Sequence, residues 1–287
     1  MKVAASILAT VIASASSFVV QPQNTRLADT FLAARKPFIT GNWKLNPTTK
    51  TEAIELATGI ANAVSDSSPG DVALFVPYPY LESVEAAVDG KVTIGAEFIT
   101  AEESGAFTGG VSPLMLKSMG IEWALAGHSE RRTLNGESDE EINKQCLMLI
   151  ENGMNVVLCI GETLEEFEKG LVGAVCEIQL KKNLEGVSAE QMKQVTIAYE
   201  PVWAIGTGKV ATPEIAQDVH KVCRDIIADM YDETVAEEAR ILYGGSVSPE
   251  SVDGLMAKPD IDGTLVGGAS LDDSKFARII NFEVEED

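Results

Sequence analysis

Short apolar runs of strand length alternate with longer stretches in helical rhythm from residue 36 to the C-terminus. The runs are Phe38–Gly41, Val72–Val76, Val92–Ala96, Trp123–Ala126, Val156–Ile160, Val195–Tyr199, Ile241–Tyr243 and Gly263–Val266. Each is short and predominantly apolar, the pattern of a buried strand. Between them the spacing predicts helices, among them Lys50–Ala63, Glu137–Glu151, Leu164–Leu184, Pro213–Asp229 and Ser274–Asn281. Ser138 ahead of Asp139-Glu140-Glu141 reads as a helix start, as does Thr212 ahead of Pro213-Glu214. Strands alternating with helices imply a parallel sheet with right-handed crossovers. Eight such units predict a single-domain α/β fold, a (β/α)8 barrel. A doubly wound sheet is the alternative, but its Gly-x-Gly-x-x-Gly turn after the first strand is absent.

In such a barrel the functional face lies at the C-terminal ends of the strands. Polar residues follow the strands directly: Asn42 and Lys44 after the first, His128 and Glu130 after the fourth, Glu200 after the sixth. Ser246 follows the seventh and Gly267-Gly268 the eighth. The stretch Val195–Ala211 organises the rest. Pro201 stops the strand because it has no N–H for the ladder. The loop that follows, Trp203-Ala204-Ile205-Gly206-Thr207-Gly208, is apolar and punctuated by glycine. It reads as a lid that can move and, once shut, exclude water.

Gly244-Gly245-Ser246 and Gly267-Gly268 expose backbone amides suited to a phosphate, with Gly206 as a third contribution on closure. Lys44 can offset phosphate charge and charge developing on substrate oxygen, and Asn42 can donate a hydrogen bond there. Glu200 is the candidate base. His128 stands where a short helix could begin, and a helix N-terminus disfavours imidazolium. Glu130 either pairs with Lys44 or shuttles protons. Glu162 reads as support for the lid side, Arg131 and Arg132 as scaffold or interface ion-pair residues, and His220 as structural or surface. A carboxylate base, a neutral donor, a cation and a phosphate cradle suit proton abstraction beside a carbonyl in a small sugar phosphate.

Composition narrows the partners. Hydrophobic residues make up 45%, enough for a core, and the net charge of −22 argues against nucleic acid. Cys146, Cys159, Cys176 and Cys223 form no C-x-x-C pair, and there are two histidines, so neither metal-ligand spacing nor a cofactor motif is visible.

Five motifs carry a family resemblance: GNWKLN (Gly41–Asn46), AGHSERR (Ala126–Arg132), AYEPVWAIGTGK (Ala198–Lys209), LYGGSV (Leu242–Val247) and LVGGAS (Leu265–Ser270). In order and spacing the chain resembles the triosephosphate isomerases from about residue 37 to the C-terminus. The resemblance implies a TIM barrel acting as an aldose–ketose isomerase. Its substrates would be dihydroxyacetone phosphate and D-glyceraldehyde 3-phosphate, interconverted through an enediolate in glycolysis, gluconeogenesis and carbon fixation. No cofactor or metal is implied. A neutral histidine donor at a helix N-terminus is itself a known feature of that family. Glu200, His128, Lys44, Asn42 and Glu130 take the catalytic positions, and Gly206, Ser246, Gly267 and Gly268 the phosphate positions. Ala101–Gly110 looks like the projecting loop that makes the family homodimeric, with Thr108 near Asn42 of the partner subunit. Gly110 stands where the family commonly has glutamate, which removes an expected intersubunit partner of Arg131. Glu97-Phe98 stands where Gln-Asn is common, and Val210 replaces a usual threonine in the lid hinge. A pentose-phosphate epimerase would need metal ligands that are not seen, and a catalytically dead scaffold barrel would not need Asn42, Lys44, His128 and Glu200 together.

Residues 1–35 differ from the rest. Met1–Val20 is a long run of Ala, Val, Ile, Leu and Ser with one lysine and no acid, resembling a secretory h-region with Ala13-Ser14-Ala15 as a cleavage site. Gln21–Lys36 carries Arg26, Arg35 and Lys36 against Asp29 alone, in the manner of a transit peptide. Signal-like then transit-like segments predict a two-part targeting presequence over 1–35, directing the barrel of 36–287 to a plastid. A mitochondrial or secretory destination is the alternative. The apolar run is only marginally long enough for an anchor and is full of Ala and Ser, so the mature form is expected to carry no membrane segment.

Overall fold

The computed structural model describes residues 35–205 and 211–284. Residues 1–34, most of the expected presequence, and residues 206–210 of the expected lid, Gly206 and Val210 among them, lie outside the described residues. Eight strands close a barrel in chain order: β1 (Phe38–Asn42), β2 (Asp71–Val76), β3 (Thr93–Ala96), β4 (Trp123–Ala126), β5 (Asn155–Ile160), β6 (Val195–Tyr199), β7 (Ile241–Tyr243) and β8 (Gly263–Val266). All pairs are parallel, and β1 closes on β8 with Phe38 opposite Gly263. Every strand lies within a residue of the run that predicts it.

The helices outside the barrel are α1 (Lys50–Ala63), α2 (Leu81–Val88), α3 (Pro113–Ser118), α4 (Ser129–Leu134), α5 (Asp139–Glu151), α6 (Leu164–Glu168), α7 (Val172–Asn183), α8 (Pro213–Met230), α9 (Glu233–Glu238), α10 (Val252–Met256) and α11 (Asp273–Ile280). Helix starts follow the capping chemistry in the sequence. The Ser138 side chain accepts from the Glu141 amide, and the Glu141 carboxylate accepts from the Ser138 amide, closing a capping box. The Thr212 side chain caps α8 by accepting from the Ile215 amide. The predicted helix 164–184 is two helices. Gly170 adopts φ +68, a left-handed conformation that ends α6 before α7 begins.

Two cores follow from strand parity. Phe38, Ala73, Phe75, Leu125, Val157, Cys159, Ala198, Leu242 and Leu265 fill the barrel interior. The alternate residues, such as Ile39, Leu74, Leu158, Ile197 and Tyr199, pack outward under the helices. The same parity places the site. Asn42 is two residues beyond Thr40 and Glu200 two beyond Ala198, so both continue the inward-facing row to the barrel mouth.

The opposite end of the barrel is pinned by ions. Arg35 donates to Asp262 Oδ1 (2.7 Å), to the Glu237 carboxylate (2.9 Å) and to the Pro259 carbonyl (2.9 Å). Arg224 holds the other oxygen of Asp262 at 2.7 Å and Asp260 at 2.6 Å. Arg35, the first described residue, is therefore bound into this end of the barrel.

Candidate active site

The mouth of the barrel encloses a cavity of about 420 Å³, lined by Asn42, Lys44, His128, Glu130, Glu200, Ile205, Gly244, Gly245, Ser246, Gly267 and Gly268. All predicted site residues among those described line it. Gly206 is the one predicted residue outside the described part of the chain.

Glu200 is 2% exposed and doubly held. Its Oε2 accepts from the Ser129 amide at 3.0 Å, and its Oε1 lies 3.1 Å from His128 Nε2. Burial pushes its carboxyl up, but His128, the Ser129 amide and Lys44 together outweigh burial and hold it below the ordinary carboxylate value. The residue is thus a buried, ionised carboxylate on the wall of the cavity. Room for it is made by glycine: a Cβ at Gly244 would stand 2.8 Å from the Glu200 Cγ, and one at Gly161 would stand 1.8 Å from the Glu200 carbonyl oxygen. The sequence reading assigns Gly244 to the phosphate cradle alone; its part in seating the base is visible only in three dimensions. The Ser129 amide was equally invisible, because a backbone group carries no residue signature.

His128 is the N-cap of α4, and its Nδ1 accepts from the Glu130 amide at 3.2 Å. That bond commits Nδ1 as an acceptor and leaves the proton on Nε2, aimed at Glu200. Burial pushes the imidazole pKa down, while the Glu200 carboxylate draws it up more strongly. That pull lasts only while Glu200 is charged. The Glu130 N–H, pointed at Nδ1, favours the Nε2–H tautomer, while the Glu200 carboxylate favours a second proton on the ring.

Lys44 sits in a left-handed turn, φ +56, which is rare for a residue with a side chain. Its amide donates to Asn42 Oδ1 at 3.1 Å, and its Nζ pairs with Glu130 Oε1 at 2.7 Å. The structure therefore supports the pairing role of Glu130. Beyond β7 and β8, Ser246 is exposed toward the cavity, and Gly267-Gly268 open a short 3-10 turn to Leu271. A Cβ on Gly267 would lie 3.6 Å from Lys44 Cε, an ordinary contact, so the turn runs directly beside the lysine stem.

The base and the lid share an anchor. Glu162, fully buried, accepts from Trp203 Nε1 (2.7 Å) and from the Tyr199 hydroxyl (3.1 Å). Burial raises its carboxyl, and the two donors lower it in part. The first turn of the lid segment, Val202–Ala204, is also tied to the Glu162 carbonyl through the Val202 amide at 3.1 Å. The remaining charged candidates are scaffold. Arg131 pairs with Glu137 at 2.7 Å and lies 3.6 Å over the Phe98 ring, so its charge is satisfied within the chain. Arg132 binds Asp139 and the Gly127 and Cys159 carbonyls. His220 is fully buried against Tyr199 and Tyr243, and burial lowers its pKa to about 4, which makes it a structural neutral histidine. Among the described residues no cluster of three His, Cys, Asp or Glu could hold a metal ion, and no helix is long and apolar enough to cross a membrane.

Residues 37–283 match the family model for triosephosphate isomerase. The chain is similar to the triosephosphate isomerase of Carboxydothermus hydrogenoformans, with 49% identity over 247 residues, covering 86% of this chain and 98% of that protein. It is also similar to that of Syntrophotalea carbinolica, with 46% identity over 250 residues, covering 87% and 99% respectively. The triosephosphate isomerase of Thermoanaerobacter pseudethanolicus is 45% identical over 249 residues, covering 86% and 100%.

Proposed function

The chain belongs to the triosephosphate isomerase family, and from that premise we propose how its own residues interconvert dihydroxyacetone phosphate and D-glyceraldehyde 3-phosphate. The observation that carries the reading is the 3.1 Å contact between Glu200 and His128 Nε2, with Lys44 on the same cavity. Substrate entering between them takes the Nε2–H for its carbonyl oxygen and frees a Glu200 oxygen to face carbon. Glu200 removes the proton from the hydroxyl-bearing carbon next to the carbonyl. The electron pair of that C–H bond becomes the C=C bond of an enediolate, and the former carbonyl oxygen takes the charge. His128 donates to that oxygen, with Lys44 and Asn42 supplying positive potential and a further hydrogen bond. The proton on the enediolate's hydroxyl oxygen passes to the charged oxygen by way of His128 Nε2, and Glu200, now neutral, returns the carbon-bound proton to the adjacent carbon, so the first oxygen becomes the new carbonyl. The amides of Gly267-Gly268 and the Ser246 segment hold the phosphate, and closure of Gly206 over it keeps water out.

The same reading extends to assembly and location. The Ala101–Gly110 segment is exposed, and Phe107, Leu45, Leu134 and Met115 present large apolar side chains to solvent. We read these as one subunit's share of a homodimer interface, with Thr108 reaching the partner subunit. Sedimentation of the purified protein tests it: a monomer at micromolar concentration sinks it. Residues 1–35 direct the enzyme to a plastid, where it serves carbon fixation as well as glycolysis and gluconeogenesis. A fluorescent reporter carrying this segment should enter plastids; a reporter in mitochondria or the secretory pathway overturns that destination.

Turnover of glyceraldehyde 3-phosphate by the full chain, followed as dihydroxyacetone phosphate formed, tests the activity directly. Absence of turnover with retained binding of a phosphate ligand would leave a binding barrel instead.

A further inference from the structure

Gly161 is the first residue past β5, and its backbone lies directly against that of Glu200. A Cβ there would stand 1.8 Å from the Glu200 carbonyl oxygen, so no side chain fits between the two segments. The Glu200 amide donates to the Ile160 carbonyl at 2.7 Å, and the Val202 amide to the Glu162 carbonyl at 3.1 Å. Residues 160–162 are thus the bed on which the backbone of the base rests, and a shift of that bed carries the carboxylate with it.

The strand ladder ends with Ile160 opposite Tyr199, so the polar groups of Gly161 need partners from elsewhere. One side chain supplies both. Gln179, half-buried on α7, accepts from the Gly161 amide through Oε1 at 2.8 Å and donates Nε2 to the Gly161 carbonyl at 3.2 Å. The paired bonds fix the place and the tilt of that residue, as a partner residue does in an antiparallel strand pair. Packing α7 onto the barrel asks only for apolar side chains, which Cys176 and Leu180 provide. An amide matched to both groups of one glycine does something packing does not. None of these groups belongs to the segments read above as the subunit interface.

We propose that Gln179 is a positioning residue for the catalytic base: it clamps Gly161, and Gly161 sets where the backbone of Glu200 lies and hence where its carboxylate meets carbon. This inference rests on the role given to Glu200 above.

The test measures kcat and KM for glyceraldehyde 3-phosphate in the full chain and in Gln179→Met, which keeps the length and helix preference of the side chain but makes neither bond. kcat should fall about tenfold, less than the ~10²-fold of a ~1 Å misplacement, with KM within about twofold. The phosphate positions follow β7 and β8 rather than β5, so affinity for inorganic phosphate should also stay within about twofold. In the Glu200→Asp background, where the carboxylate is already withdrawn, Gln179→Met should cost no more than about twofold. Gln179→Glu keeps the acceptor for the Gly161 amide and, ionised, loses only the donor. It should lose about threefold or more in kcat, and it takes the place of Gln179→Met if that variant does not fold. Wild-type kcat in the variants, equal losses in both Glu200 backgrounds, or phosphate affinity falling in step with kcat overturns the proposal. If wild type shows no turnover, the isomerase reading fails, and the imidazole nitrogen resonance of His128, whose Nε2 lies 3.1 Å from Glu200, decides the role of Gln179. That resonance should shift in Gln179→Met; an unchanged one overturns the proposal.

Discussion

Gly244 and Glu200 occupy one continuous volume: a Cβ at position 244 would stand 2.8 Å from the Glu200 Cγ, inside any normal carbon–carbon contact. The backbone of β7 thereby sets where the base on β6 can lie. Gly244→Ala should push the carboxylate away from its resting place. A displacement of ~1 Å costs about 10²-fold in rate, so kcat should fall by roughly that factor with a smaller change in KM. Steady-state kinetics beside a thermal melt checks this; a variant with wild-type kcat shows that the base relaxes freely.

Glu200→Asp retracts the carboxylate by one methylene while keeping its charge. The loss in kcat should again be about 10²-fold, with an unchanged far-ultraviolet spectrum. Wild-type rates in this variant mean that another group takes the proton or that a later step limits turnover.

Trp203 and Tyr199 both donate to Glu162, and Trp203 belongs to the turn that starts the lid. Trp203→Phe removes the 2.7 Å bond and leaves the buried carboxylate one donor short. Because hinge changes alter kcat and KM together, both should shift by about tenfold. A stability loss without any kinetic change places Trp203 in packing alone.

Glu97 makes stability depend on pH. Its carboxyl is raised from 4.5 to about 8 on folding, chiefly by burial. The folded state therefore binds the proton more tightly than the unfolded chain, and the stabilisation is complete below about pH 4.5 and lost as pH rises through 8. Glu97→Gln escapes that loss. Its Tm should match wild type near pH 5 and exceed it by about 5 °C or more at pH 8.5. A pH-independent gap assigns the effect to packing.

Arg35 supplies a buried guanidinium to Asp262, Glu237 and Pro259 at the closed end of the barrel. Removing one partner of a buried pair costs about 3–5 kcal/mol; Asp262 keeps Arg224, which places the loss at or below the lower end. A chain beginning at Lys36 should melt roughly 5–10 °C below one that retains Arg35. Equal melting temperatures mean that the folded unit starts after Arg35.

The sequence by itself determined the architecture. Eight apolar runs separated by capped helical stretches leave one economical closure, and each run became a strand because all side chains in it must leave water. It also determined which side chains reach the mouth: strand parity and the position just past each strand are local properties, so Asn42, His128, Glu200 and Ser246 were legible. The long helix read over 164–184 was less so, because whether Gly170 bends the chain depends on what the next turn packs against. What only the tertiary structure decided is how these side chains act on one another. The Ser129 amide on Glu200, the space left by Gly244 and the Glu162 anchor shared by Tyr199 and Trp203 all join residues from different elements. Hydrogen bonds and desolvation act over a few ångströms, and that distance exists only once the barrel has closed.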